Sequence, residues 1–437
     1  MKASRLAFRI LSVVVLLVGM PLAFGVTLFA TFQAAKMTAN IPLLVALTLV
    51  ACFLCTFCIG LLAARLWAGR KSRRTAFVVA AICTVLFATG LELGVFRPVQ
   101  YPHVAAVVRS HTQYWTLPSG SHIAYSVYEP PAGVAIKPDP IVFLHGGPGL
   151  RATDLDHAFY GQFARDGFRV YLYDQAGSGL SNQLPKASDY TVERFVTDLE
   201  QIRQRIGAER MILIGHSWGG TLAAHYVAAY PEHVSKLVFH SPGPVWFPKF
   251  TPMDMQRTAQ GNVSQAMSAR VIAALALSYA NVNASENLVS QSELGDWGMT
   301  TLDPRQLICS GESAKQIADV GGVQMAGMNM YPLLVTTNEL KQPRMNVLSR
   351  LVNIHVPAIV LEGECDFIPW SEHAQYLQSI IGIKSYYFPN AGHDIKLSQP
   401  ERLAALIRSF LLDQPAPFAA RQGLDDPRPP MKAPATP

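Results

Sequence analysis

The sequence has little charge and little cysteine for its length. Of its 437 residues, 15% are charged and six are cysteines, whereas disulfide scaffolds contain more than roughly 8–10% cysteine. A disulfide scaffold is therefore excluded. Half of the residues are apolar, which also excludes a mainly disordered chain. At roughly 100–200 residues per domain, the length predicts two or three folded units.

Acidic residues are almost missing from the first 97 positions. This segment holds ten of the 36 Lys and Arg residues but one of the 30 acidic residues, Glu92. The remaining residues consequently carry a net charge of −3. A weakly acidic main body offers no electrostatic footprint for a polyanion, so nucleic acid is excluded as a partner.

Long apolar runs fill this N-terminal segment. They cover residues 10–32, 41–64 and 75–96, and each is about as long as the ~20 residues that a helix needs to cross a bilayer. They predict a membrane block of three transmembrane helices within residues 1–97, with the lipid bilayer as a partner. A cleaved signal peptide is the alternative for the first run, because basic residues precede it.

The basic residues predict the orientation of these spans. Eight Lys and Arg residues precede the first run or separate the second from the third, against Lys36 alone in the first connection. By the positive-inside rule the N-terminus is cytoplasmic and the main body is extracytoplasmic, either periplasmic or extracellular. That compartment permits disulfides. For Cys309 and Cys365, the two cysteines beyond the predicted spans, unpaired thiols are nevertheless favoured over a bridge, because nothing in the sequence shows that they meet.

From about Tyr114 onward, short β-rich runs alternate with helical patterns, which predicts an α/β fold built on a parallel sheet. More than a hundred residues separate the β-rich runs at 234–239 and 358–361, too many for a structureless loop. The predicted parts are a core formed by residues 98–244 and 353–412, an inserted helical cap at 245–352 and a disordered Pro-rich tail at 413–437.

A nucleophile motif follows one of the buried strands. The sequence Gly-His-Ser-Trp-Gly-Gly at 215–220 comes directly after the apolar run 211–214 and opens a helical pattern. This is the strand, turn and helix context of a nucleophile elbow, in which glycines permit a tight turn that holds a serine above the sheet. We therefore predict that Ser217 is a catalytic nucleophile rather than an ordinary turn serine, in an α/β-hydrolase fold.

A serine nucleophile needs a histidine base and a carboxylate that orients it. In this fold the chain order is serine, acid, histidine, and Asp366 and His393 each follow a predicted strand in that order. Glu364 and Asp394 are the weaker candidates for the acid. The glycine-rich sequence at 145–149 follows another strand, so we assign the oxyanion hole to the backbone N–H groups of Gly147 and Trp218.

Five motifs in this order resemble the proline iminopeptidase group of α/β-hydrolases. They are HGGPG at 145–149, DQAGSGLS at 174–181, GHSWGG at 215–220, GECD at 363–366 and AGHD at 391–394. The resemblance covers about residues 114–412 and implies a serine aminopeptidase that releases an N-terminal residue, often proline. It also implies that acidic residues of the cap bind the substrate amine. Glu293 and Asp296, the latter beside Trp297, are the candidates for that role.

The sequence thus predicts an α/β-hydrolase with an inserted helical cap, preceded by three transmembrane helices. Its predicted function is a membrane-anchored serine aminopeptidase that cleaves short peptides through an acyl-enzyme, without a cofactor or metal. An esterase or lipase acting on a small acyl substrate with the same triad is the first alternative. A non-catalytic, membrane-tethered binding protein is the second.

Overall fold

The computed structural model describes residues 2–68, 72–247, 267–301, 307–309 and 326–428. The chain divides into two compact units: residues 1–100 with 266–293, and residues 101–265 with 294–437. The described helices are α1 Lys2–Ala35, α2 Ile41–Ala68, α3 Ser72–Leu91, α4 Asp154–Gly161, α5 Val192–Ile206, α6 Trp218–Ala229, α7 Ala269–Ala280, α8 Val282–Leu288, α9 Gln291–Thr301, α10 Met330–Leu340, α11 Leu348–Leu351, α12 Trp370–Ser379, α13 Ile395–Ser398 and α14 Pro400–Leu411.

The first unit contains three helices that are long and apolar enough to cross a membrane, at Leu6–Ala35, Ile41–Trp67 and Arg73–Phe96. Their large apolar side chains point outward: 71% of Leu17 is exposed, for example. Small residues lie between the helices, and a Cβ added at Gly19 would lie 2.8 Å from a carbon of Ile59. Close packing through small residues with apolar side chains outside is the pattern of helices in lipid.

Helix α7 belongs to this first unit, although the sequence placed it in the cap over the hydrolase core. Arg270 donates to the Val95 carbonyl, with an N–O distance of 2.8 Å. Asn281 at the end of α7 donates from Nδ2 to the Ala35 carbonyl at 3.0 Å. The prediction failed because an apolar helical pattern shows that a helix is buried but does not identify its neighbours.

The second unit is built on one mixed sheet of eight strands in the order β1-β2-β4-β3-β5-β6-β7-β8. Strand β2 pairs antiparallel with both β1 and β4, and the remaining neighbours, from β4 through β3, β5, β6 and β7 to β8, pair in parallel. Their bounds are β1 Gln113–Thr116, β2 His122–Tyr128, β3 Ile141–Leu144, β4 Val170–Tyr173, β5 Met211–His216, β6 Val234–His240, β7 Ala358–Gly363 and β8 Lys384–Phe388. The predicted α/β fold is confirmed.

The strand order explains why the predicted motifs meet. Strands β3, β5, β6, β7 and β8 lie side by side and run in one direction. The loops after β3, β5, β7 and β8 carry the four predicted site motifs, so all four emerge at the carboxyl edge of the sheet. In open α/β sheets this is the edge at which ligands bind.

Two further predictions are wrong. Cys309 and Cys365 form a disulfide, with their Cα atoms 5.2 Å apart; the pairing depends on a contact between the cap and the loop after β7, which sequence spacing does not encode. The predicted disorder of the tail does not hold for residues 413–428. Phe418 of that segment packs against the core cluster that contains Phe388, because its proline-rich sequence still carries an anchoring aromatic ring. Residues 429–437 lie outside the described part of the chain.

Candidate active site

Ser217 lies at a sharp turn between β5 and α6. Its backbone has φ 54° and ψ −121°, a sparsely populated conformation that persists only where the surroundings impose it. Gly219 makes the turn possible, because a Cβ at that position would lie 1.9 Å from the Leu144 carbonyl oxygen. The turn directs Ser217 into a cavity at the carboxyl edge of the sheet.

Asp366 and His393 form a buried pair beside this turn. Nδ1 of His393 lies 2.7 Å from Oδ1 of Asp366, and both residues are almost fully buried. Burial alone would raise the pKa of Asp366, but the imidazole of His393 overrides it and holds that pKa well below its usual range. A carboxylate acceptor fixes the ring proton on Nδ1 and leaves Nε2 as the proton acceptor.

His216 connects the pair to the serine turn. It precedes Ser217 in the chain, and its Nε2 lies 3.3 Å from the backbone oxygen of His393. The two imidazole rings are 5.1 Å apart between centroids. Burial is the main cause that lowers the pKa of His216 to about 4, so this residue is a neutral packing partner at pH 7.

The glycine-rich loop after β3 and the start of α6 face the same cavity. Gly147 has φ +119°, a positive value that glycine adopts readily because it has no Cβ. Trp218 is the first residue of α6. The indole Nε1 of Trp218 donates to the side chain of Gln175 at 2.8 Å. The backbone N–H of Gln175 donates to Nε2 of His145 at 2.8 Å, so Gln175 connects both loops.

The cavity has a volume of about 240 Å³ and a mostly apolar wall. Apolar or small residues from both parts of the core and from α10 form most of the wall. Among the described residues that line it, Glu372 is the one carboxylate. The lining consists of Gly147, Pro148, Ser217, Trp218, Thr221, Gly243, Pro244, Phe247, Leu333, Thr336, Thr337, Leu340, Phe367, Ile368, Pro369 and Glu372.

Comparison with known proteins agrees with this architecture. A family model described as the alpha/beta hydrolase fold matches residues 139–306. The proline iminopeptidase of Heyndrickxia coagulans is 38% identical over 128 residues, which are 27% of this chain and 43% of that protein. The enzyme of the same name from Neisseria gonorrhoeae is 39% identical over 99 residues, 23% of this chain and 31% of that protein. This chain carries an α/β-hydrolase fold, part of which is similar to proline iminopeptidases.

A solved structure supports the fold of the hydrolase. A thermophilic esterase from Thermogutta terrifontis, with malate bound, superimposes with a TM-score of 0.51 and 20% identity, over 70% of this chain and 99% of the esterase. At that identity the likeness concerns the fold alone. The matches to the proline iminopeptidases span less than half of those proteins.

The two cap acids that the sequence suggested for amine binding have other partners. Glu293 is bonded to the Arg270 guanidinium, with N–O distances of 2.6 and 2.8 Å, and Asp296 lies 2.9 Å from Nδ1 of His103. Neither residue is among the described residues that line the cavity. Glu312, a further cap acid of the sequence, lies outside the described residues.

Glu372 is the acid that sequence reasoning missed. It lies on α12, six residues after Asp366, and it is buried. Its carboxylate accepts a hydrogen bond from Nε2 of Gln375 at 2.7 Å. Its position in the first turn of the helix that follows the acid loop was the available signal, because that helix begins at the carboxyl edge of the sheet.

A second buried cluster lies behind His393. His216, His240 and Asp394 have possible metal-ligating atoms within 4.8 Å of one another. The ammonium of Lys396 is bonded to the Asp394 carboxylate and lies 3.0 Å from that of Asp156. A cationic side chain thus already supplies the positive charge that these carboxylates require, and a divalent ion fits the cluster poorly.

Proposed function

We propose that this hydrolase is a membrane-anchored serine aminopeptidase of the proline iminopeptidase type. The observation that carries the proposal is the Asp366–His393 pair, held at 2.7 Å and in contact with His216, the residue before Ser217. The β5–α6 turn directs Ser217 into a cavity. The partial identity to proline iminopeptidases supports the peptide substrate class. The substrates would be short peptides with a free amino end.

In the proposed reaction, Oγ of Ser217 attacks the carbonyl carbon of the first peptide bond while Nε2 of His393 takes the hydroxyl proton. Asp366 holds the imidazole in the required tautomer and stabilises its protonated form. The backbone N–H groups of Gly147 and Trp218 stabilise the negative charge that develops on the carbonyl oxygen. His393 then protonates the leaving amine, and water hydrolyses the acyl-enzyme by the same route in reverse.

An aminopeptidase must also bind the substrate ammonium, since burying that charge is costly without a carboxylate partner. Glu372 is the one carboxylate among the described residues of the wall. We therefore assign the ammonium contact to Glu372 rather than to Glu293 or Asp296. The role fits a residue fixed by a hydrogen bond from Gln375, because a preorganised acceptor loses little conformational freedom on binding.

An esterase is the second candidate, and the apolar wall favours it. Phe247, Leu333, Leu340 and Phe367 give the cavity a surface that suits an acyl chain. Acyl esters carry no ammonium, so an esterase would need no carboxylate in the wall. The two candidates share Ser217 and differ in what Glu372 does.

The decisive experiment compares free and N-acetylated aminoacyl-naphthylamides on the purified full-length chain. An aminopeptidase prefers the free amine, and Glu372→Gln removes that preference while Glu129→Gln, a change at an exposed carboxylate, keeps it. Equal rates on both substrates in the wild type would contradict the aminopeptidase, and faster hydrolysis of short acyl esters than of either naphthylamide would support the esterase. Labelling by a fluorophosphonate that is lost in Ser217→Ala tests catalysis itself, and a wild type that does not label would support the non-catalytic binding protein.

The membrane part of the proposal rests on the three long apolar helices and on the distribution of Lys and Arg around them. By the positive-inside rule the hydrolase domain would be extracytoplasmic. A phosphatase reporter that is active only outside the cytoplasm, fused after Pro437, should be active. A cytoplasmic reporter that is active at the same position would overturn this orientation.

A further inference from the structure

The C-terminal segment of residues 418–428, here called the strap, packs against the hydrolase core. Its N-terminal end is anchored by Phe418, whose ring meets that of Phe388 at 90° with centroids 5.6 Å apart. The backbone N–H of Arg421 then donates to the Ser385 carbonyl at 2.8 Å, which adds a bridge to the edge strand β8. The strap lies beyond α14, the last described helix of the second unit, which ends at Leu411.

The strap next contacts α12. This helix follows the acid loop, a name used here for residues 363–370, and Trp370 is the first residue of the helix. The Arg421 guanidinium lies 4.8 Å from the ring centroid of Trp370. The indole Nε1 of Trp370 donates to the Leu424 carbonyl at 2.8 Å. These contacts bring the end of the strap alongside the loop that carries Asp366.

Arg428 makes the closest connection to the acid loop. Its Nη1 donates to the backbone oxygen of Ile368 at 2.8 Å and to that of Asp366 at 3.3 Å. The side chain is 4% exposed, and Asp426 accepts from its Nε and Nη2 at 2.8 and 2.9 Å. Asp426 thereby neutralises the buried charge and aims the guanidinium at the two carbonyls, as the planar fork of arginine allows.

The two carbonyls flank Phe367, so Arg428 binds the part of the loop that connects Asp366 to the residues of the cavity wall. On one side the loop presents the Asp366 carboxylate to His393. On the other it supplies Phe367 and Ile368 to the cavity wall. A shift of about 1 Å at such a site can cost roughly 10²-fold in rate.

We propose that Arg428 is a positioning residue, and that the strap holds the acid loop in the geometry in which Asp366 orients His393. Arg428 contacts no residue proposed to react with the substrate except through the backbone of this loop. The inference rests on the proposed catalytic role of Asp366, but it is independent of whether the substrate is a peptide or an ester.

The test uses the full-length chain and counts active sites with a fluorophosphonate, so that kcat is expressed per reactive serine. Arg428→Ala should lower kcat for p-nitrophenyl acetate by roughly 10²-fold with a smaller change in KM. The acidic limb of the kcat/KM profile should move to lower pH, because a misplaced Asp366 stabilises protonated His393 less. Arg428→Lys should recover part of the loss, and Arg210→Ala, at an exposed ion pair, should change neither quantity.

A purely structural role would reduce the number of reactive serines and leave both kcat per site and the pH profile unchanged. That result in Arg428→Ala would overturn the proposal. If Arg428→Ala does not fold, Asp426→Asn decides, since it keeps the arginine but removes its orienting partner: a lower kcat with a shifted limb supports the proposal, and unchanged values overturn it. A wild type that fails to label would overturn the proposed function together with this role.

Discussion

Two loops at the carboxyl edge of the sheet each place a buried carboxylate near His393. The acid loop, residues 363–370, carries Asp366, and the histidine loop, residues 391–398, carries Asp394 directly after the histidine itself. Asp366 is bonded to the imidazole. Asp394 is bonded to Lys396 of its own loop.

The difference shows that proximity along the chain does not select the partner of a catalytic histidine. Burial alone would raise the pKa of both carboxyl groups, yet both pKa values are lowered: that of Asp366 chiefly by His393, and that of Asp394 chiefly by Lys396. One carboxylate is thus free to stabilise a protonated imidazole. The other has its charge already balanced by an ammonium group.

The largest expected effect is a difference in activity between variants of the two carboxylates. Asp366→Asn should lower kcat by roughly 10⁴-fold, as in a serine protease whose orienting aspartate is replaced. Asp394→Asn should cost far less, because Asp394 orients no reacting group. The rates are measured per folded chain on one substrate. A larger loss in Asp394→Asn would show that the histidine takes its orienting carboxylate from its own loop.

The sequence was sufficient to place Ser217, Asp366 and His393 at one edge of the sheet, because each follows a strand and the parallel order brings those strand ends together. It also favoured Asp366 over Asp394 as the orienting carboxylate, since only Asp366 follows β7. It could not show that Lys396 neutralises Asp394. The same ammonium also lies 3.0 Å from the carboxylate of Asp156 at the start of α4, a contact between segments that are distant in the chain.

The next effect concerns the ion cluster of the histidine loop. Lys396→Met should leave Asp156 and Asp394 buried without their cation, and loss of one member of a buried ion pair costs about 3–5 kcal/mol. The measurement is urea unfolding of the detergent-solubilised chain at pH 7, followed by tryptophan fluorescence. Five of the six tryptophans belong to the second unit, so the signal reports the hydrolase. Lys236→Met, at a bridge to the exposed Asp413, is the matched control.

The pH dependence of this cost has a definite sign. In the wild type the pKa values of Asp156 and Asp394 are lowered, so their stabilising contribution is present above the unfolded pKa of about 4 and is lost as the pH falls below it. In Lys396→Met burial raises both pKa values instead, so the carboxyl groups become neutral more readily in acid. The stability difference between wild type and variant should therefore shrink from pH 7 towards pH 4. A constant difference would contradict the role of these charges.

The features that the sequence did not reveal are contacts between distant segments. The disulfide, the strap and the position of Glu372 in the cavity wall all depend on how segments approach one another in the folded domain. Local periodicity determines strands and helices, whereas these contacts depend on side chains tens of residues apart. For the same reason the resemblance to a family did not identify the acid in the cavity wall: its candidates, Glu293 and Asp296, have partners away from the wall.

The smallest expected effect concerns the short cap segment Leu307–Cys309, which contacts both loops. This segment bonds the acid loop covalently through Cys309 and Cys365, and its Leu307 carbonyl accepts from the backbone N–H of Asp394 at 3.1 Å. Replacing both cysteines by serine removes the first connection and leaves the second. The unfolding free energy should fall by roughly 2–4 kcal/mol, while activity per reactive serine falls only a few-fold, because Arg428 and the hydrogen bond to His393 still hold Asp366.

Dithiothreitol should reproduce the loss in the wild type and have no effect on the double variant. A loss of activity as large as that of Asp366→Asn would instead make the disulfide, not the strap, the main support of the acid loop.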